Sequence, residues 1–185
     1  MLLLLRDEDV PTVSSAITAI ALQHGLVPVD PETEPQDILS VAALLVGPRA
    51  VLTPGDDFVV AGSLDTLGVG DAIELGRALS AACSNEVLTI APTGDGIRVA
   101  LFDDGDLDED IRVDLAPPGK KTTSAELAEI APSEEAEEEL REGLSVTNAI
   151  ELAEHVLRLF GAPPDAYTGP PVTLSFRDPS DDDDA

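Results

Sequence analysis

The chain is poor in most of the residues that usually carry chemistry. It has one cysteine, two histidines, one tyrosine and no tryptophan in 185 residues. With Cys83 alone, no intrachain disulfide can form, which fits a reducing compartment. Aromatics are 3% of the chain while hydrophobic residues are 43%, so a core must be built from Val, Leu, Ile and Ala. Long apolar runs are missing as well. Met1-Leu2-Leu3-Leu4-Leu5 has no basic residue ahead of it and ends at Arg6-Asp7-Glu8-Asp9. A secretory leader needs an apolar stretch of about 7–15 residues. Val41–Val46 is far short of the ~18 residues of a membrane span. Both runs read as buried strands, and the expected location is the cytoplasm.

Basic residues are the largest deficit. Ten Lys and Arg face 37 Asp and Glu, giving a formal net charge of −27. Such a surface repels phosphate backbones and anionic lipid heads and attracts basic proteins. Nucleic acid and membrane are therefore not expected as partners, and a basic protein is. The acid is mostly aspartate, 21 residues, and only Lys120 and Lys121 are lysines. That balance also characterises proteins adapted to high salt, where screening cuts self-repulsion to a range of about 3 Å at molar salt. Composition leaves both origins of the charge open.

What is present is an alternation of helix and strand signals. Leu2–Leu5 reads as a strand. Val13, Ile17, Ile20, Ala21 and His24 recur at helical spacing after Pro11, and Gly25 ends that helix. Pro28 to Pro35 reads as a loop. Three β-prone runs follow, Val41–Val46, Ala50–Thr53 and Phe58–Ala61, the first of them Ala-rich enough to be helix instead. A helix over Asp71–Cys83 has Asp71 and Glu74 in its first turn and a stripe of Ala72, Leu75, Leu79 and Ala82. Val87–Ala91, Ile97–Phe102 and Ile111–Leu115 are separated by Gly/Asp turns and read as hairpins. Helices are expected at Ser124–Ile130, Ser133–Glu142 and Thr147–Phe160, the last with a stripe of Ile150, Ala153, Val156, Leu157 and Phe160. Val172–Phe176 reads as a closing strand, and Asp181–Asp184 as part of a solvated tail.

The expected fold class is therefore α+β. An antiparallel sheet would come from two helix-plus-three-strand units, joined by further helices and a closing strand. One domain would cover 1–177, with subunits at 1–66 and 67–116 and a helical segment at 124–161. Residues 178–185 would form a disordered acidic tail.

No catalytic, cofactor or metal motif survives inspection. Asp104, Asp106 and Asp108 alternate like calcium ligands, but either EF-hand frame puts the wrong residues at the sixth and twelfth places: Glu109 and Leu115, or Ile111 and Pro117. The simpler reading is a hairpin turn with a solvated face. Asp56-Asp57 is explained by turn chemistry. His24 and His155 lie near helix C-termini, where the dipole favours them. Cys83 has no basic neighbour and reads as a small buried hydrophobe. Gly68-Val69-Gly70 lacks the third glycine of a dinucleotide loop, and Gly119-Lys120-Lys121-Thr122 lacks the first glycine of a phosphate loop. The two lysines read as ordinary linker residues. If they instead met an acidic patch of a second copy, they would make a homodimer.

Ala78-Leu79-Ser80, Val87-Leu88-Thr89-Ile90, Ala100-Leu101-Phe102-Asp103-Asp104-Gly105-Asp106-Leu107 and Leu159-Phe160-Gly161-Ala162-Pro163-Pro164 together make the chain similar to a group of acidic bacterial proteins of unassigned function from high-GC genomes. The resemblance spans 75–115 and 147–165 and implies a fold, not a site. The order of elements is also similar to that of the small acidic chaperones of bacterial type III secretion. That second resemblance implies a protein that binds a partner chain and catalyses nothing.

These lines converge on a non-catalytic acidic protein of chaperone, adaptor or immunity/inhibitor type that engages a basic partner. The residues expected to meet the partner are Asp103, Asp104, Asp106, Asp108, Glu109 and Asp110, with Glu134, Glu135 and Glu138. No cofactor is expected. The alternatives are an assembly component of a salt-adapted bacterium and an enzyme whose site assembles from distant residues.

Overall fold

The computed structural model describes residues 1–29 and 47–179. The expected strand Val41–Val46 and the tail run Asp181–Asp184 lie outside the described residues. The strands are β1 (Leu2–Arg6), β2 (Val27–Val29), β3 (Arg49–Pro54), β4 (Phe58–Gly62), β5 (Val87–Pro92), β6 (Gly96–Asp103), β7 (Asp106–Asp114) and β8 (Val172–Arg177). The helices are α1 (Val10–Gln23), α2 (Ala72–Cys83), α3 (Ala125–Glu129), α4 (Glu134–Glu142) and α5 (Ala149–Leu159). All eight strands join one antiparallel sheet in the order β2-β8-β3-β4-β1-β5-β6-β7. The fold is α+β, as the pattern of elements implies.

The leucine run is explained by its place. β1 lies between β4 and β5. Leu3 and Leu5 pack on one face with Val13 and Ile17 of α1 and Leu75 and Leu79 of α2. Leu4 packs on the other with Leu127 of α3, Leu140 of α4 and Leu152 and Val156 of α5. A strand buried on both faces reads as continuous apolar sequence, because neither face needs polar residues. The sheet is thus covered by helices on both sides.

Helix ends follow local chemistry. Asp71 accepts hydrogen bonds from the N–H groups of Ile73 and Glu74, while Glu74 accepts from Asp71 N, a complete capping box. Asn148 caps α5 through Ile150 N and Glu151 N. Asp9 caps α1 through Thr12 N at 2.8 Å, and hydrogen bonding from the Thr12 side chain, followed by that of its backbone N–H, holds the carboxyl below the usual range. Among the described residues no helix is long and apolar enough to cross a membrane.

The structure corrects four expectations. Val27–Val29 is a strand, not part of a loop; it is short, contains Pro28 and sits at the sheet edge, where proline is tolerated. β8 does not close the sheet from outside but pairs with both β2 and β3. Of the first expected unit, β3 and β4 are neighbours and Val41–Val46 lies outside the described residues, while the second, α2 with β5 to β7, is an unbroken meander. Ile150 is not on the buried stripe of α5: it is 64% exposed. Finally, β7 begins at Asp106 rather than at Ile111, so the acidic run is mostly strand.

That last correction has a visible cause. Asp104 (φ 47°) and Gly105 (φ 85°) are both left-handed, as a two-residue type I′ hairpin turn requires. The tip is tied to α2: Ser80 Oγ accepts from Gly105 N and donates to Asn85 O. Leu107 pairs with Phe102 and Glu109 with Leu101, leaving Asp108 as the extra residue of a bulge.

Candidate functional site

The register of the sheet gathers acids that are far apart in sequence. Arg6 pairs with Phe58, Leu5 with Val87, and Val87 with Phe102. The start of β4, the end of β1, the start of β5 and the β6–β7 turn therefore lie side by side at one end of the sheet. Each carries acid: Asp56 and Asp57; Asp7, Glu8 and Asp9; Glu86; then Asp103, Asp104 and Asp106. With strands about 4.8 Å apart, five adjacent strands make a rim roughly 20 Å wide. Asp7 N donates to Asp57 O at 2.8 Å, which joins the first two loops.

The cation within this rim is held in place. Arg6 Nη1 is 2.9 Å from Glu86 Oε1, and its Nη2 donates to Phe160 O at the C-terminus of α5, 3.0 Å away. Asn85 Nδ2 donates to Arg6 O and to Glu8 Oε1. The guanidinium closes a helix end where cations are favoured and neutralises one of the rim acids.

The expected partner-binding residues divide into three groups. Asp103, Asp104, Asp106, Asp108 and Glu109 are exposed, on the end of β6, the turn and the first half of β7. Asp110 is exposed but engaged: Arg98 Nε and Nη2 donate to its two carboxylate oxygens at 2.7 and 2.6 Å. These bonds lower its pKa, against a small opposing effect of burial. Asp110 thus differs from its neighbours in the run in that the hairpin brings a guanidinium opposite it. Glu134, Glu135 and Glu138 are exposed on α4, whose Ala136 and Leu140 face inward. α4 belongs to the helical layer over the Leu4 face, so these glutamates lie on a different element from the rim. Sequence reading missed Asp7, Glu8, Asp9 and Glu86, whose proximity depends on strand order. The one usable signal was that every strand leading to this end is flanked by acid.

The rim spreads its carboxylates instead of converging them. Among the described residues no group of three or more His, Cys, Asp or Glu side chains could hold a metal ion. His24 shares a groove between α1 and α2 with Asp104 and Asp106, and is exposed. His155 Nδ1 lies 3.3 Å from Glu151 O within its own helix. Cys83 is half-buried, and burial, aided by the charge of Glu8, pushes its thiol up to about 11. Such a thiol is a poor nucleophile at neutral pH.

Most arginines are already spent. Arg112 holds Asp95 and Asp114, Arg141 holds Glu137, and Arg158 holds Glu139. Two of these pairs neutralise Glu137 and Glu139 of α4, so the remaining negative excess lies on the rim and on Glu134, Glu135 and Glu138. No family model, curated protein or solved structure matches the chain.

Proposed function

We propose that the protein is a non-catalytic binder of a basic partner protein, working in the cytoplasm as a chaperone, adaptor or inhibitor. The observation that supports this best is the rim: acids from five strand ends side by side, with Arg6 consumed by Glu86 and Phe160. A one-signed surface of that width concentrates cationic side chains near it and speeds their encounter, an effect worth roughly 10–10³-fold in rate at low salt. It also discourages nucleic acid and anionic lipid.

The test is a nuclear magnetic resonance titration of the whole chain with a decapeptide of alternating Lys and Ser, which carries charge and no apolar anchor. Amide shifts should cluster at Asp7, Asp57, Glu86 and Asp103–Asp106, and fade as salt rises. Shifts scattered over the whole surface, or none, would end the proposal.

A second reading is an assembly component of a salt-adapted cell. The aspartate-rich, lysine-poor surface favours it, since at molar salt screening cuts the self-repulsion of such a surface to a range of about 3 Å. On that reading the fold itself should loosen at low salt.

A further inference from the structure

At the opposite end of the sheet from the rim, an open groove of about 650 Å³ lies between the N-terminal turns of α2 and α5. Leu2, Ala91 and Pro92 form its floor, at the start of β1 and the end of β5, and Ala72, Ile150 and Ala153 stand along the walls. Ile150 is the largest departure from burial: at 64% it is the most exposed large hydrophobic residue among those described. The α5 stripe turns Leu152, Ala153, Val156 and Leu157 inward and leaves this isoleucine over the groove. Acids stand on both walls, Asp71 on α2 and Glu154 on α5; among the described residues no Lys, Arg or His side chain lines the site, and the one cation beside it is the α-amino group of Met1 at the edge of the floor.

We infer that this groove anchors an aliphatic side chain of the partner that is flanked in its own sequence by Lys or Arg. The inference rests on the basic-partner reading and adds where the partner is held. Charge selects the occupant. An anionic ligand is opposed by Asp71 and Glu154 and finds the first-turn N–H groups of both helices already taken by Asp71 and Asn148. A second copy would bring its own −27 charge against the same acids. A cationic segment with an apolar centre satisfies floor and walls together. The volume lies within the ~300–1,000 Å³ of ordinary binding pockets. On this account the rim sets how fast the partner arrives and the groove sets how long it stays, because buried apolar anchors act mainly on dissociation.

The test compares two labelled peptides on the full chain at low salt: acetyl-Lys-Arg-Leu-Leu-Arg-Lys-amide, and the same peptide with Ser-Ser at its centre. The leucine peptide should bind at least about ten-fold more tightly and should shift the Ile150 methyl resonance. Ile150→Ser, a surface change, should bring the two affinities together. The double variant Asp104→Asn/Asp106→Asn should weaken both peptides and keep their ratio. If both peptides bind the native chain equally, the groove is no anchor, while the basic-partner reading stands. If neither binds, both ideas fall. If sedimentation shows a dimer that Ile150→Ser dissociates, the groove belongs to a second copy and the inference is overturned.

Discussion

Arg98 and Asp110 meet fork to fork across the β6–β7 hairpin, with both carboxylate oxygens engaged at 2.7 and 2.6 Å. Arg98 is paired in register with Arg112, so two like charges sit side by side and each needs its acid. The pair takes Asp110 out of the free negative surface and marks where the rim gives way to ordinary sheet.

Asp110→Asn should cost little. Both partners are more than a third exposed, 41% and 36%, so solvent screens them and the expected loss is about 0.5 kcal/mol at neutral pH. The folded carboxyl is shifted down, chiefly by the hydrogen bonds from Arg98. Its contribution is therefore complete above the unfolded value of about 3.9 and disappears as pH falls through the lower folded value. Urea unfolding of the two proteins should differ at pH 7, and the difference should shrink as pH falls below the unfolded value and vanish once it is below the folded one. A difference that persists in acid would mean that something other than the charge is lost.

Thr89→Val should stabilise the protein. Thr89 is fully buried, and among the described residues its Oγ1 has no hydrogen-bond partner. Replacing the hydroxyl by a methyl removes an unsatisfied polar group, worth about 1 kcal/mol or more, and should raise the melting temperature by roughly 2–4 °C. At Gly76, by contrast, a Cβ would run into the Thr89 hydroxyl and the Phe102 ring. Gly76→Ala should destabilise by about 1–3 kcal/mol. Thermal denaturation distinguishes the two signs directly.

Deleting Asp108 should leave the fold intact. Residues on either side keep their partners, Leu107 with Phe102 and Glu109 with Leu101, so the deletion only regularises the bulge. Deleting Arg112 has no such escape. Whichever way β7 slips, Ile111 or Val113 leaves the apolar cluster it fills beside Ile97 and Val99. The expected cost is about 2 kcal/mol from lost burial alone. Circular dichroism melts that fall equally in both deletions would contradict the register.

Cys83 should resist modification. With its thiol pushed up to about 11, the thiolate is scarce at neutral pH. Ellman-type reagents should react with the native chain roughly 100-fold more slowly than with the urea-unfolded chain, whose thiol has an ordinary value near 8.5. Equal rates would show that the thiol is neither buried nor perturbed.

How much of this was legible in the sequence varied with the range of the interaction. The helices were readable because their signals are local: Asp71 with Glu74, Asn148, and the periodicity of Leu75 with Leu79. The central strand was readable because burial on both faces leaves four leucines in a row. β2 was not, since three residues around Pro28 carry no strand signal and only pairing with β8 defines them. The first half of β7 was hidden because aspartate disfavours strands; the turn at Asp104-Gly105 and its anchorage on Ser80 impose the conformation. The candidate site was half visible. Asp103 to Asp106 stood out as a run, whereas Asp7, Asp57 and Glu86 join them only through strand order, which no local pattern encodes. The exposure of Ile150 was hidden for a related reason: periodicity gives a face, not how far along the helix its neighbours reach.

The most direct test is the association rate of the Lys-Ser decapeptide by stopped flow, read beside the folding stability of the native chain from about 0.05 to 1 M salt. A variant with Asp7, Asp57, Asp103 and Asp106 all changed to Asn serves as the comparison. The account predicts that the native rate falls at least about ten-fold across this range, that the variant starts slower and depends less on salt, and that the native chain stays folded throughout. Equal rates for the two proteins, together with unfolding of the native chain at low salt, would contradict it and leave the charge as an adaptation to brine.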